Sequence, residues 1–200
     1  MEYEILAAND PADEDREEAL VEGLREQSSE ACTAFYRRFA PAIHRFAIIR
    51  LGGDGECAED IVARTCVDAV RNINKFHRKS SLKAWLYGIA RRHVIGAIRK
   101  KKRLKSIPPG AETSMEAVAE ISDGQDLASR ASARLDAQRQ FAALAEALSD
   151  LEMEALILQS VDEFSLREIG NILGRSERAV HSLLRRAKQK ARERLAQDER

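Results

Sequence analysis

The stretch FSLREIGNILGRSERAVHSLLRRAKQKARER, Phe164 to Arg194, permits few folds other than two short helices joined by a tight turn. Ser165 is placed to cap the first helix, and Glu168 three residues later completes a capping box. Leu166, Ile169 and Leu173 then fall on one apolar face, and Gly174 supplies a turn with a permissive backbone. Ser176 caps the second helix, whose buried stripe is Val180, Leu183, Leu184 and Ala187. The opposite face offers Arg178, His181, Ser182, Arg185, Arg186 and Lys188. A basic amphipathic helix alone reads as a solvated surface. Preceded by a capped helix and a glycine turn, it has the layout of a helix-turn-helix whose second helix enters a DNA major groove.

The rest of the chain predicts an all-α protein. Ala, Leu, Arg and Glu are abundant, Gly and Pro are few, and a hydrophobic fraction of 44% suffices for real cores. No apolar run approaches the roughly 20 residues a membrane span needs. The acidic start MEYEILAANDPADEDREE is unlike a basic-then-apolar signal peptide, so a cytoplasmic protein is expected.

A formal net charge of zero argues at first against nucleic acid, but the distribution reverses that. Residues 1–30 carry 2 basic and 11 acidic side chains, and residues 61–103 carry 13 basic and 1 acidic. Residues 141–174 hold 1 basic and 7 acidic, and residues 175–200 hold 9 and 4. Two basic blocks bind phosphate locally even when the sum vanishes. The acidic blocks are solvated faces, contacts for basic partners, or contacts for the basic blocks themselves; charge counting does not choose among these.

Cys32, Cys57 and Cys66 form no C-x-x-C pair, and His44, His77, His93 and His181 show no metal-ligand spacing with them. They read as buried or incidental thiols in a reducing compartment. With no nucleophile elbow, phosphate loop or metal motif, the expectation is a protein with no catalytic site, metal or cofactor.

Helical periodicity begins near Asp13 and runs through Leu20, Leu24, Ala31, Ala34 and Phe35, with Pro41 read as an early residue of the next helix. That helix turns Ile43, Phe46, Ala47 and Leu51 inward, and Gly52-Gly53-Asp54-Gly55 breaks it. A third helix is predicted from about Glu56 to Asn74, then a basic loop over Lys75–Ser80. Ser80 or Ser81 caps a long helix ending in the basic run Arg99–Arg103. Residues 106 to about 125 lose periodicity and read as a linker. A helix resumes from about Leu127 with Phe141, Leu144, Ala145 and Leu148 as its firm apolar positions. Ser149, with Glu152 in capping-box position, starts another that leads to the helix-turn-helix. The domains expected are an acidic extension (1–14), a first helical domain (15–104), a flexible linker (105–126) and a second helical domain (127–200).

Three features sit together in the first domain. Ala58-Glu59-Asp60-Ile61-Val62 puts two carboxylates on the exposed edge of an apolar helix. The loop NKFHRKSS, Asn74–Ser81, mixes an aromatic residue, polar groups and cations, and LKAWLYGIARR, Leu82–Arg92, follows it. Such a loop beside a cationic helix suits single-stranded nucleic acid, although Phe76 and Trp85 taken alone read as core residues.

The order A-E-D-I-V, basic loop, S-L-K-A-W-L-Y-G-I-A-R, linker and C-terminal helix-turn-helix with R-A-K resembles bacterial RNA polymerase sigma factors of the group-four, extracytoplasmic-function type. The resemblance covers about Asp15 to Leu195. It implies a region-two-like first domain and a region-four-like second, and core RNA polymerase (beta-prime clamp helices and beta flap), promoter DNA and an anti-sigma factor as partners. Ala58, Glu59, Asp60 and Val62 would then bind polymerase. Asn74, Lys75, His77, Arg78, Lys79, Ser80, Arg91 and Arg92 would read the minus-ten element, melted, with a flipped base held by the loop. Ser176, Arg178, His181, Ser182, Arg185, Arg186 and Lys188 would read the minus-thirty-five element as duplex. Arginine gives bidentate contacts to guanine or holds phosphate.

The chain departs from the family pattern at Arg92 and Gly96, where Asn and Asp or Asn are common, and at Ala179 and His181, where Thr and a basic residue are frequent. Loss of the Thr hydroxyl removes a phosphate or cap contact, and His carries less permanent charge than Lys or Arg. These changes imply an unusual promoter sequence. The competing readings are a helix-turn-helix regulator that binds duplex DNA and oligomerises through its first domain, and a sigma-like decoy that titrates an anti-sigma factor. Neither explains the carboxylate pair, the basic loop and the two cationic surfaces together.

Overall fold

The computed structural model describes residues 11–105 and 143–198, so residues 1–10 of the acidic N-terminus, the expected linker and the expected helix from Leu127 as far as residue 142 lie outside the described residues. The elements in order are α1 (Pro11–Arg25), α2 (Ser29–Arg50), α3 (Gly55–Arg71), a 3-10 turn (Ile73–Lys75) and α4 (Leu82–Lys105). After a helical turn at 143–147 come α5 (Asp150–Ser160), α6 (Leu166–Leu173) and α7 (Glu177–Asp198). No strand occurs among the described residues.

Local chemistry sets most boundaries. Asp54 accepts from the Cys57 N–H at 3.2 Å to start α3, after Gly52 and Gly53 reverse the chain with φ of 68° and 92°. Ser149–Glu152 and Ser165–Glu168 form complete capping boxes at the starts of α5 and α6. The first helical stretch differs from the periodicity. It breaks at Gln27, which takes φ 58°, and Ser28 caps α2 by accepting from the Ala31 N–H. Pro41 therefore sits inside α2 rather than near a start. It lies on the exposed face, where solvent can satisfy the carbonyl its missing N–H leaves free.

The apolar stripes close over one another as the spacing requires. Val21, Leu24, Phe35, Ile43, Phe46, Ile61, Leu82 and Leu86 fill the first domain, and Ala155, Leu158, Ile169, Val180 and Ala187 the second. Ahead of α5, Leu148 is buried and Leu144 packs half-buried against the core as the spacing predicts, whereas Ala145 is exposed and Ala143 takes an inward place; Phe141 lies outside the described residues. The two domains are not separate bodies. Their buried residues form one continuous cluster, with α6 packed on α4 and α5 against α2.

Candidate nucleic-acid interface

On α3 the side chains of Glu59 and Asp60 are exposed, and Arg64 Nε donates to Asp60 Oδ1 at 2.8 Å. Ala58 and Val62, the other two residues expected to bind polymerase, are buried in this arrangement. They belong to the helix's inner stripe and flank the two carboxylates in sequence. Sequence reasoning passed over Val67, an exposed apolar residue seven positions after Asp60 and on the same face. Carboxylates beside an apolar patch suit a basic and partly apolar protein surface.

The loop between the 3-10 turn and α4 turns its cations outward. Asn74, Lys75, His77, Arg78 and Lys79 are exposed, and Ser80 is half-buried. Phe76 points inward and packs on Trp85 with ring centroids 5.4 Å apart, so it anchors the loop rather than offering a stacking face. Ser81 Oγ accepts from the Ala84 N–H at 3.2 Å and donates to Glu168 Oε1 at 2.8 Å. On α4, Arg92 is exposed. Arg91 is half-buried in this arrangement, its Nε 3.0 Å from Glu154 Oε1 of the second domain in an ion pair. A step of one residue turns the side chain about 100° around the helix, which separates two arginines the motif treats alike.

The helix-turn-helix forms as its caps require. Gly174 closes α6 with φ 65°, and Ser176 Oγ accepts from the Ala179 N–H at 3.3 Å to start α7. Arg178, His181, Arg185, Arg186 and Lys188 are exposed along α7 and Ser182 is half-buried. An open groove there is lined by Arg185, Lys188 and Arg192. Arg186 also lies 3.8 Å from Glu152, whose carboxylate accepts from Lys190 Nζ at 2.9 Å. Burial works to raise the Glu152 pKa, but hydrogen bonds from Lys190 and Ser149 outweigh it and hold the group below its ordinary value.

Between the domains lies a polar seam absent from the predicted sites. Asp162 Oδ1 accepts from the Tyr87 hydroxyl at 2.8 Å and from Arg45 Nη2 at 3.1 Å, and Lys83 Nζ donates to the Asp162 carbonyl at 2.8 Å. Lys83 also sits 4.6 Å over the Phe164 ring. A second cluster joins Glu154 with Arg91 and Arg50. Burial raises the pKa of both Asp162 and Glu154 and lowers that of Arg50 and Lys83. The acidic block of the second domain therefore meets the basic block of the first.

Among the described residues no group of His, Cys, Asp and Glu is placed to hold a metal ion, and no helix is long and apolar enough to cross a membrane. The three cysteines are unpaired, and burial pushes the Cys66 thiol up to about 11.

Comparisons with known proteins place this geometry. The family described as Sigma-70 region 2 matches residues 35–104, and Sigma-70, region 4 matches residues 138–190. The chain is 31% identical over 150 residues to the ECF RNA polymerase sigma factor EcfG of Rhodopseudomonas palustris, covering 75% of this chain and 77% of that one. It is 30% identical over 208 residues to the ECF RNA polymerase sigma factor SigG of Mycobacterium tuberculosis, covering 94% of this chain but 52% of SigG. Among solved structures it is similar to the sigma factor RpoE in complex with the anti-sigma factor NepR from Bartonella quintana. That match has a TM-score of 0.61 and 28% identity over 82% of this chain and 96% of RpoE.

Proposed function

Since the chain belongs to the extracytoplasmic-function family of RNA polymerase sigma factors, we propose that it joins core polymerase through α3 and reads a promoter with two separate cationic surfaces. As an alternative sigma factor it directs transcription initiation. The observation that carries the division of labour is the exposure, on one chain, of three chemically distinct faces. Glu59 and Asp60 meet the polymerase clamp. Asn74, Lys75, His77, Arg78, Lys79, Ser80 and Arg92 hold the unpaired minus-ten strand. Ser176, Arg178, His181, Ser182, Arg185, Arg186 and Lys188 face the duplex minus-thirty-five element. The protein supplies binding energy and position and performs no bond chemistry of its own. The RpoE relative is solved in complex with an anti-sigma factor, which supports an anti-sigma factor as a partner of this chain too.

The closed arrangement sets a condition on this work. The two promoter elements lie about 25 base pairs apart by their names, roughly 85 Å along B-DNA. A compact body of this length is roughly 40 Å across. Engaging both elements therefore requires the domains to part, breaking the contacts of Glu154, Asp162 and Glu168 with the first domain.

Run-off transcription with core polymerase on a pool of genomic promoters tests the reading. Start sites sharing two spaced upstream elements are the expected result. Absence of any transcript, with free protein still shifting duplex DNA, overturns it in favour of a conventional regulator.

A further inference from the structure

We propose that Glu17 and Glu18 of α1 are positioning residues for the base-capturing loop, an inference that rests on the promoter reading above. Glu17 Oε1 accepts the N–H of Leu82 at 3.1 Å, at the first residue of α4. That amide is one of the four at a helix start with no partner inside the helix, and a carboxylate there is favoured by the helix dipole as well. Four residues earlier, Arg78 takes φ 54°, a left-handed conformation uncommon for a residue with a Cβ. Its Nη2 donates to Glu18 Oε1 at 2.9 Å. Adjacent carboxylates on one helix thus hold both ends of the segment that displays Arg78 and Lys79.

The height of α1 over the loop is itself fixed. Val21 and Leu24 are fully buried, and a Cβ added at Gly23 would lie 2.7 Å from the Ala31 Cβ. That close approach seats α1 on α2 with no slack. Both residues of the Glu18–Arg78 pair are about half exposed or more, so the pair adds little to stability. What it does is choose one place for the Arg78 guanidinium. A loop ordered in advance does not lose that freedom when a single strand binds, so ordering it raises affinity.

Simple electrostatics predicts the opposite sign, which makes the inference sharp. Two carboxylates beside a phosphate-binding loop repel DNA, so removing them should tighten binding if they only contribute charge. Positioning predicts a loss. The test uses the full chain assembled with core polymerase and fluorescent promoter fragments with an unpaired minus-ten segment. Glu17→Ala is expected to weaken binding of that fragment about tenfold, with core affinity and binding to a minus-thirty-five duplex unchanged within about twofold. Glu17→Gln keeps a carbonyl acceptor and recovers most of the loss. Gly23→Val, which levers α1 away without touching either carboxylate, moves affinity in the same direction. Should that variant melt too low to assay, the contrast of Gln with Ala at position 17 decides alone. Unchanged or tighter binding by Glu17→Ala overturns the inference. A wild-type holoenzyme with no preference for the unpaired fragment overturns the promoter reading of the loop, and this inference with it.

Discussion

The Tyr87 hydroxyl of α4 donates to Asp162 Oδ1 across 2.8 Å, joining two residues 75 positions apart and belonging to different domains. Phe164 closes the contact from the side, its ring edge-on to Tyr87 with centroids 4.7 Å apart. The second carboxylate oxygen, Oδ2, is buried without a hydrogen bond. Arg50 Nε is likewise buried without one, whereas Glu154 Oε1 and Arg91 Nε lie 3.0 Å apart as an ion pair. A buried ionic contact with groups left unsatisfied is weakly stabilising at best. The seam specifies where the domains meet more than it holds them there.

Removing the acceptor should nonetheless be costly, because the donors stay behind. Asp162→Ala leaves Tyr87 and Arg45 facing a gap, while Lys83 keeps its bond to the backbone carbonyl, and is expected to lower stability by about 2 kcal/mol, against about 1 kcal/mol for Asp162→Asn. Tyr87→Phe alone should cost about 1 kcal/mol. Urea denaturation of the single and double variants provides the check: the Tyr87→Phe effect should largely vanish in the Asp162→Ala background. Additive losses would mean that the two groups do not interact.

Stability should rise on mild acidification. Asp162 and Glu154 have pKa values raised by burial above their ordinary 3.8 and 4.5, so the folded chain binds protons more tightly than the unfolded one. Their contribution is complete below those ordinary values and is lost as pH rises through the folded ones. Glu152 and Glu168 act in the other sense. Burial opposes the hydrogen bonds to them, but the hydrogen bonds prevail and lower both pKa values, so their share is present above 4.5 and lost as pH falls through the folded values. Thermal melts should therefore show a higher midpoint near pH 5 than near pH 8, with a fall below about pH 4. Asp162→Asn should flatten the rise. A midpoint that only falls from pH 8 downward would contradict this balance.

The turn of the helix-turn-helix offers a comparison of two glycines. Gly174 has φ 65° with open space around it, so Gly174→Ala should cost only the left-handed backbone penalty, about 1 kcal/mol. At Gly170 an added Cβ would meet the Arg175 carbonyl oxygen at 2.7 Å, and backbone cannot step aside as a flexible side chain does. Gly170→Ala should therefore be the more damaging change, by more than about 1 kcal/mol, and should reduce duplex binding as α7 shifts. Equal melting temperatures for the two variants would show that the turn relaxes freely.

These residues also mark what was legible in the chain. Caps, breakers and apolar stripes act within four residues, so Ser165–Glu168, Ser149–Glu152, the break at Gly52-Gly53 and the inner face of α3 were readable directly. Gly170 was not, because its constraint comes from a carbonyl across the turn rather than from its own φ. The break at Gln27 was missed because a lone left-handed residue carries no composition signal, whereas Pro41 carries a strong one that the helix absorbs on its exposed face. The seam was invisible for a different reason. Lys83, Tyr87 and Arg91 recur every four residues on α4, but their partners arrive from far along the chain, and alternation of charge does not say which block meets which.

The carboxylate face of α3 can be tested without disturbing the core. Glu59 and Asp60 are exposed, and the Asp60–Arg64 ion pair is a surface pair of small energetic value. Glu59→Arg with Asp60→Arg should leave the melting temperature within about 3 °C while reducing affinity for core polymerase at least about 100-fold, since like charges then face a basic surface. Sedimentation of the variant with core polymerase measures both association and integrity. Retained core affinity would remove α3 from the interface.

Arg185 separates base reading from phosphate holding on α7. It is exposed one turn after His181, on the face opposite Val180 and Leu184, which anchor the helix. If its guanidinium makes a bidentate contact to a guanine, Arg185→Ala should cost about 1–3 kcal/mol and relax preference at one base of the minus-thirty-five element. Lys188, a point charge one turn closer to the C-terminus, should behave differently. Lys188→Ala should weaken all sequences alike and reduce the slope of log affinity against log salt by about one. Equilibrium binding of the full chain to a panel of single-base duplex variants at several salt concentrations distinguishes the two. Uniform weakening by both variants would assign Arg185 to the phosphate backbone and shift base reading to His181 and Ser182, whose shorter side chains lie one turn nearer the start of α7.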